Sequence, residues 1–266
     1  MILTVQGLTR RYAGLVAVDA VDMAVVPGTI HAVIGPNGAG KTTLFNLISG
    51  LTAPSAGTIT LDGTDITACT ADRRAHRGLG RTFQNIRIFG AMTVLENALT
   101  GLHARPQVGL VPTILRMPRF RANENAAVAA ARAALALVDL AADADRPAAA
   151  LPYGDQRRLE IARAMAARPR LLLLDEPAAG LNPAETAALA TLVRRLRDAG
   201  TTILLVEHDM GFVMDISDTV TVLNFGRRIF EGPPAAVRAE PAVIEAYLGP
   251  KVAARLAAGQ RAGRGA

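Results

Sequence analysis

Strand and helix signals alternate at both ends of this 266-residue chain, around a helical middle. The fold class they predict is α/β with a mostly parallel sheet. Three observations carry this. Short apolar runs at 29–34, 171–174 and 202–206 each end in turn or polar material. The first run passes into a Gly-rich turn that opens a helix. The run Leu171-Leu172-Leu173-Leu174 has the uniform apolar character of a strand buried on both faces.

In chain order, 2–8 and 16–25 are β-rich, with turn material around Gly14. A strand over 29–34 leads into a helix over 42–49. Shorter strands follow at 58–61 and 79–82. Helices are expected over 94–102 and 123–140, the second rich in Ala, the strongest helix former. Residues 104–121 carry Pro106, Pro112 and Pro118 and are expected to be irregular or short-helical. A helix over 154–167 precedes the Leu171 strand. Asn182-Pro183-Ala184-Glu185 then combines an Asn cap, Pro at the first helical position and Glu at the third. Strands at 202–206 and 219–223 complete the sheet. Everything from Pro250 onward is expected to be loose. No internal repeat is evident.

Composition narrows the function classes. Apolar residues are 50% and charged residues 20%, so the chain has a core and is not disordered. Aromatics are 4%, with no Trp, which disfavours stacking surfaces for single-stranded nucleic acid. Cys69 is the only cysteine, so no internal disulfide or cysteine-rich zinc site forms. The four histidines, His31, His76, His103 and His208, are scattered, and His31 reads as structural. No uncharged apolar stretch reaches about 18 residues, and Met1–Tyr12 lacks a signal-peptide layout. A soluble intracellular chain is expected.

The net charge is +6, unevenly placed. From Arg73 to Arg121 there are nine Arg and only one acid, Glu96. The stretch 251–266 adds Lys251, Arg255, Arg261 and Arg264 without an acid. No nucleic-acid reading motif accompanies this charge. It reads as a solvated basic surface or as a face toward a membrane or partner.

Two motifs carry chemistry. Gly35-Pro36-Asn37-Gly38-Ala39-Gly40-Lys41-Thr42 fits G-x-x-x-x-G-K-[ST] and lies between a strand and a helix. Its glycines let backbone N–H groups turn toward a polyphosphate, aided by the helix N-terminus. Lys41 supplies charge to the β/γ-phosphates and Thr42 a hydroxyl to Mg²⁺. The second motif, Asp175-Glu176, sits at the C-terminal end of the Leu171 strand, the edge where open α/β sheets gather ligands. Asp175 is expected to hold Mg²⁺ through water and Glu176 to act as general base.

With these in place the chain resembles the ATPase subunits of ABC transporters from about residue 2 to 248. Gln84 in Arg81-Thr82-Phe83-Gln84-Asn85 matches the family's Q-loop. Leu151-Pro152-Tyr153-Gly154-Asp155-Gln156-Arg157-Arg158 stands where its signature motif belongs. Ala178-Ala179-Gly180-Leu181-Asn182 matches the D-loop, with Asn for the usual Asp. Glu207-His208-Asp209 matches the switch-histidine loop, and Tyr12 the adenine-stacking aromatic. Each alone has a plainer reading: Tyr12 as hairpin packing, Gln84 as a surface loop residue, His208 as a capping histidine.

The resemblance implies a P-loop NTPase fold, with a RecA-like mostly parallel sheet. An N-terminal antiparallel β subdomain and an inserted α-helical subdomain complete it. The ATPase domain spans 1–250, with its core at 1–88 and 166–250 and the helical part at 89–165; 251–266 is a basic flexible tail. It implies ATP and Mg²⁺ as cofactors. ATP is bound by Tyr12, Gly35 through Lys41, Thr42 and Thr43. Mg²⁺ is held by Thr42, Gln84 and Asp175. The catalytic residues are Glu176, His208 and Gln84, while Pro152, Tyr153, Gly154, Asp155 and Gln156 face the partner subunit's ATP.

The wording of 154–163, 175–183, Arg81–Gln84 and Ala246-Tyr247-Leu248-Gly249 is similar to the branched-chain amino acid uptake subgroup. So is the long segment from Gly101 to Asn123. That subgroup implies two transmembrane permeases, a second ATPase subunit and, indirectly, a periplasmic or surface solute-binding protein. No nucleic acid is involved, and the place of work is the cytoplasmic face of the membrane. Subunits for urea, short amides or other solutes, and a soluble non-transport ABC ATPase, are the alternatives. Pro152 departs from the family's usual Ser, and this implies a heterodimer with a Ser-bearing partner.

Overall fold

The structure, a computed structural model, describes residues 1–102 and 118–248. Arg105, Arg116, most of the Pro-rich segment and the basic tail 251–266 lie outside the described residues, as do the side chains of Arg119 and Arg121. The chain divides into two compact units. One comprises Met1–Cys69 with the residues from Thr202 onward, the other Thr70–Thr201.

In the first unit, β1 (Leu3–Tyr12) pairs antiparallel with β2 (Leu15–Val25) and with β4 (Ala56–Leu61), which pairs with the two-residue β5 (Thr64–Asp65). The β1–β2 turn runs through Ala13, at φ 47°, and Gly14. β1 extends to Tyr12, four residues beyond the β-rich run read from sequence, because Arg10, Arg11 and Tyr12 continue the ladder with Val18, Val16 and Leu15.

A second sheet of this unit has the order β10 (Arg227–Gly232), β9 (Thr219–Asn224), β3 (Ile30–Ile34), β8 (Thr202–Val206). β3 runs parallel to both its neighbours, and β10 returns antiparallel from β9. Every residue of β3 and β8 is buried, as strands covered on both faces require, including the polar His31 and Thr202. Among the described residues this unit also holds helices α1 (Lys41–Ser49), α7 (Met210–Ile216), α8 (Pro234–Ala239) and α9 (Pro241–Leu248).

In the second unit, β6 (Leu79–Arg81) and β7 (Leu171–Asp175) pair in parallel. Among the described residues its α-helices are α2 (Ala71–His76), α3 (Val94–Thr100), α4 (Pro118–Leu137), α5 (Tyr153–Ala166) and α6 (Pro183–Asp198). α4 begins five residues earlier than its Ala-rich stretch indicates, so residues 118–121 belong to a 20-residue helix and not to an irregular or short-helical segment. Pro118 is its first residue, where proline is tolerated because no intrahelical donor is lost there. α4 ends at Leu137 rather than 140, and Asp139 follows with φ 61°. α6 opens as its sequence dictates: Asn182 accepts from Glu185 N–H, and the Glu185 carboxylate accepts from Asn182 N–H, with Pro183 at the first position.

The basic stretch is not wholly surface. Arg74 is buried, and the side chain of Arg81, 9% exposed, is paired with Asp175. His31 is buried too; its Nε2 lies 2.7 Å from Thr221 Oγ1, whose hydroxyl donates to Glu231. Burial lowers the His31 pKa to about 4, partly opposed by Glu231.

Candidate functional site

β3 delivers the chain into the Gly35–Thr42 loop. Gly35 has φ 154°, and a Cβ there would meet Leu223 O at 2.2 Å. Gly40 has φ 98°, and a Cβ would meet Ala17 O at 2.4 Å. These two positions accept only glycine. Gly40 is the N-cap of α1, so the loop ends at a helix N-terminus, where backbone N–H groups and the helix dipole favour an anion. Gly226 N–H, in the β9–β10 turn, donates to Ala39 O and props the loop from behind. Lys41 is buried and curls back, its Nζ donating to Gly35 O at 2.6 Å and Pro36 O at 3.0 Å. Thr42 is exposed and Thr43 half-buried. The loop folds around a cationic side chain at the N-terminus of a helix, which suits a polyphosphate.

Two further residues of this unit bear on the loop. Val33 pairs with Val206 across parallel strands, so Gly35 and His208 leave the sheet at the same C-terminal edge, two residues past each partner. His208 is exposed, and its backbone N–H donates to the buried Glu207 carboxylate. Asp209, not His208, caps the next helix, α7, accepting from Phe212 N–H. Desolvation pushes the hydroxyl of Tyr247, on α9, up to about 12, opposed in part by the Gly35 backbone. In the sequence Tyr247 is marked only by the Ala246-Tyr247-Leu248-Gly249 wording. Tyr12 stands at the end of β1, partly exposed, with the Arg10 guanidinium 4.5 Å from its ring centroid.

The second unit holds the carboxylates. β7 carries Asp175 at its end, and β6 places Arg81 beside it, Nη2 3.0 Å from Oδ2. Burial raises the Asp175 carboxyl above its ordinary range, opposed by Arg81 and reinforced by Glu176. Glu176 follows in the left-handed region, at φ 48°. For a non-glycine residue this is a local cost tolerated where geometry matters. Its Oε2 accepts from Gln84 Nε2 at 2.7 Å. Gln84 and Glu176, 92 residues apart in sequence, are thus brought together. Gln84 spends its amide nitrogen there, leaving its amide oxygen as an acceptor.

Pro152 is the N-cap of α5, one residue outside the helix, and makes no side-chain cap bond. Tyr153 is the first helical residue; its hydroxyl donates to Ala179 O at 3.2 Å in the loop before Asn182. Gln156 closes back on Leu151 O, and Asp155 pairs with Arg158 at 3.6 Å. Gly154 lies against Glu185, whose Oε1 would be 3.0 Å from a Cβ. Arg157 and Glu160, deeper on α5, contact the Phe83–Gln84 main chain. They lie inside the motif wording but carry no role in the sequence reading.

A family model described as "ABC transporter" matches residues 18–179, well over half the chain. The chain belongs to the ABC transporter ATPase family. A second model, "Branched-chain amino acid ATP-binding cassette transporter", matches residues 227–249 of this ABC ATPase. The high-affinity branched-chain amino acid transport ATP-binding protein BraF of Pseudomonas aeruginosa is 47% identical over 249 residues, 93% of this chain and 98% of that protein. The protein of the same description, LivG, from Escherichia coli K12 is likewise 47% identical, with the same coverage. A solved nucleotide-free ATP-binding cassette from an ABC transporter superposes with TM-score 0.81 at 30% identity, covering 94% of this chain and 99% of its own. The α/β fold with a P-loop, and ATP hydrolysis as the activity, follow from this membership. None of the described helices is long and apolar enough to cross a membrane.

Proposed function

We propose that this ABC ATPase powers an importer for branched-chain amino acids, working at the cytoplasmic face of the membrane with two separate permease subunits. The observation that carries the substrate class is the 47% identity, over nearly the full length of both chains, to proteins so described. The match over 227–249 supports the same reading. Residues 1–88 and 166–250 form the catalytic core and 89–165 the part that meets a permease.

In this reading the Gly35–Thr43 loop holds the ATP phosphates, Lys41 exchanging its loop carbonyls for the β/γ-phosphates. Tyr12 stacks on the adenine. Glu176 accepts a proton from water as the water oxygen bonds to the γ-phosphorus and the bond to the β-phosphate oxygen breaks. His208 stabilises the charge on the γ-phosphate. The available donors are oxygens: the Thr42 hydroxyl, the Asp175 carboxylate and the free amide oxygen of Gln84. That set suits Mg²⁺, which when bound neutralises developing phosphate charge.

Residues 152–156 face the nucleotide of a second ATPase subunit. Pro152 offers neither hydroxyl nor N–H, and this supports a heterodimer with a partner that has Ser there. The test is ATP-driven leucine uptake into vesicles bearing the chain, candidate permeases and a second ATPase subunit. Uptake that requires this chain supports the reading. Assembly and ATP turnover without uptake of leucine, isoleucine or valine contradicts the substrate class.

A further inference from the structure

Gln84 is an exposed loop side chain, yet it meets Glu176 at hydrogen-bond distance. A glutamine on an unsupported loop does not hold one position, because its rotamer and backbone freedom oppose it. The support comes from α5. The Arg157 guanidinium donates through Nη1 to Phe83 O at 3.1 Å and through Nη2 to Gln84 O at 2.6 Å. Glu160 Oε1 accepts from Phe83 N–H at 3.3 Å, and its other oxygen lies 3.4 Å from Arg157 Nη1. Arg163, 3.6 Å from Glu160, donates to Arg87 O. The Phe83 ring has the guanidiniums of Arg81 and Arg87 at 5.3 and 4.8 Å from its centroid. One helix thus grips four main-chain groups within residues 83–87.

This arrangement is costly. The Arg157 and Glu160 side chains are 5% and 2% exposed. Burying such a pair is weak evidence for stability, because the desolvation penalty rivals the attraction. What the pair supplies instead is a fixed main chain. Arg157 also reaches the Tyr153 hydroxyl at 3.4 Å, at the start of α5, so the helix end and the Gln84 loop share one side chain.

We propose that Arg157, held by Glu160, is a positioning residue for hydrolysis: its two-pronged grip on the Phe83 and Gln84 carbonyls sets the Gln84 amide against Glu176. The proposal rests on the reading of Glu176 as general base and Gln84 as its neighbour in the reaction. The planar fork is essential to it. Lysine keeps the charge beside Glu160 but cannot span two carbonyls.

The test uses the full-length chain and its steady-state ATP turnover, with Glu176→Gln as control. Arg157→Lys is expected to lower kcat about tenfold, as loss of charge-assisted bonds commonly does, and to leave the KM for ATP within about twofold. Hydrogen–deuterium exchange over residues 83–88 is expected to accelerate in the same variant. In a Gln84→Ala background, Arg157→Lys is expected to have no further effect on kcat, since the group it positions is gone. Where Arg157→Lys fails to give a folded circular-dichroism spectrum, Glu160→Gln is read in the same cycle. A kcat for Arg157→Lys within twofold of the parent overturns the proposal. So does an equal fractional loss in the presence and absence of Gln84, which assigns the clamp to stability alone. Persistent turnover in Glu176→Gln is a separate result and overturns the base assignment instead.

Discussion

Arg81→Met leaves the Asp175 carboxylate buried without its hydrogen-bonded counter-charge. The two side chains are 9% and 6% exposed and meet at 3.0 Å. Removing one partner of a buried pair costs about 3–5 kcal/mol, because the remaining charge keeps its desolvation penalty. In a protein of this size that lowers Tm by about 6–20 °C.

The pH dependence has a definite sign. Burial already holds the Asp175 carboxyl above its ordinary range, and Arg81 pulls it back down. Without Arg81 the folded-state value rises further above the unfolded one. A carboxyl raised in the folded state destabilises when ionised and ceases to do so when it binds a proton. The deficit of Arg81→Met is therefore greatest at pH 8 and narrows as pH falls through the raised value toward the unfolded one. Differential scanning calorimetry of the parent, Arg81→Met and Arg81→Met/Asp175→Asn at pH 8 and pH 5 reads this directly. The double variant is expected to regain most of the loss at pH 8. A Tm drop under about 2 °C, or a drop that is equal at both pH values, refutes the reasoning.

Two further outcomes are expected. His31 has a folded-state pKa of about 4, below its unfolded 6.5, because it is buried; the unfolded chain takes the proton first. Stability is therefore complete above pH 6.5, and about 2 kcal/mol is lost between pH 7 and pH 5. Urea midpoints should show that slope and His31→Gln should flatten it; parallel slopes would assign the acid sensitivity elsewhere. Pro152→Ser adds a hydroxyl at an N-cap that makes no side-chain bond. It is expected to raise stability by about 1 kcal/mol and to raise the turnover of the chain acting alone; no change in either counts against both the cap and the heterodimer argument.

The fold was legible where one physical signal dominates. Mostly apolar runs identify β3, β7 and β8, and the Asn182–Glu185 capping box places the start of α6 to the residue. It was less legible where short elements depend on tertiary support. α2, β5, β10 and the C-terminal helices α8 and α9 carry no strong periodicity, and sequence reading passed over them. Pro118 misled because proline marks a helix start as well as a break.

The same division holds at the site. Glycines at 35 and 40 announce themselves through spacing, since only glycine fits there. The Arg81–Asp175 and Arg157–Gln84 contacts join residues 94 and 73 apart. No local pattern encodes them, and the local wording left Arg81 and Arg157 as ordinary motif neighbours. The basic stretch shows the converse hazard. Charge counted along the chain suggested a surface, whereas Arg74 and Arg81 are interior.

In the proposed mechanism Glu176, which lies in a left-handed turn beside Gln84, is the base for ATP hydrolysis. Glu176→Gln keeps the side chain's shape and removes its basicity. Phosphate release measured with Mg²⁺ and saturating ATP, alongside binding of a fluorescent ATP analogue, tests it most directly. Turnover should fall by at least about a hundredfold, as loss of a general base does, with nucleotide affinity retained. Turnover within a few-fold of the parent, at unchanged affinity, would contradict the account.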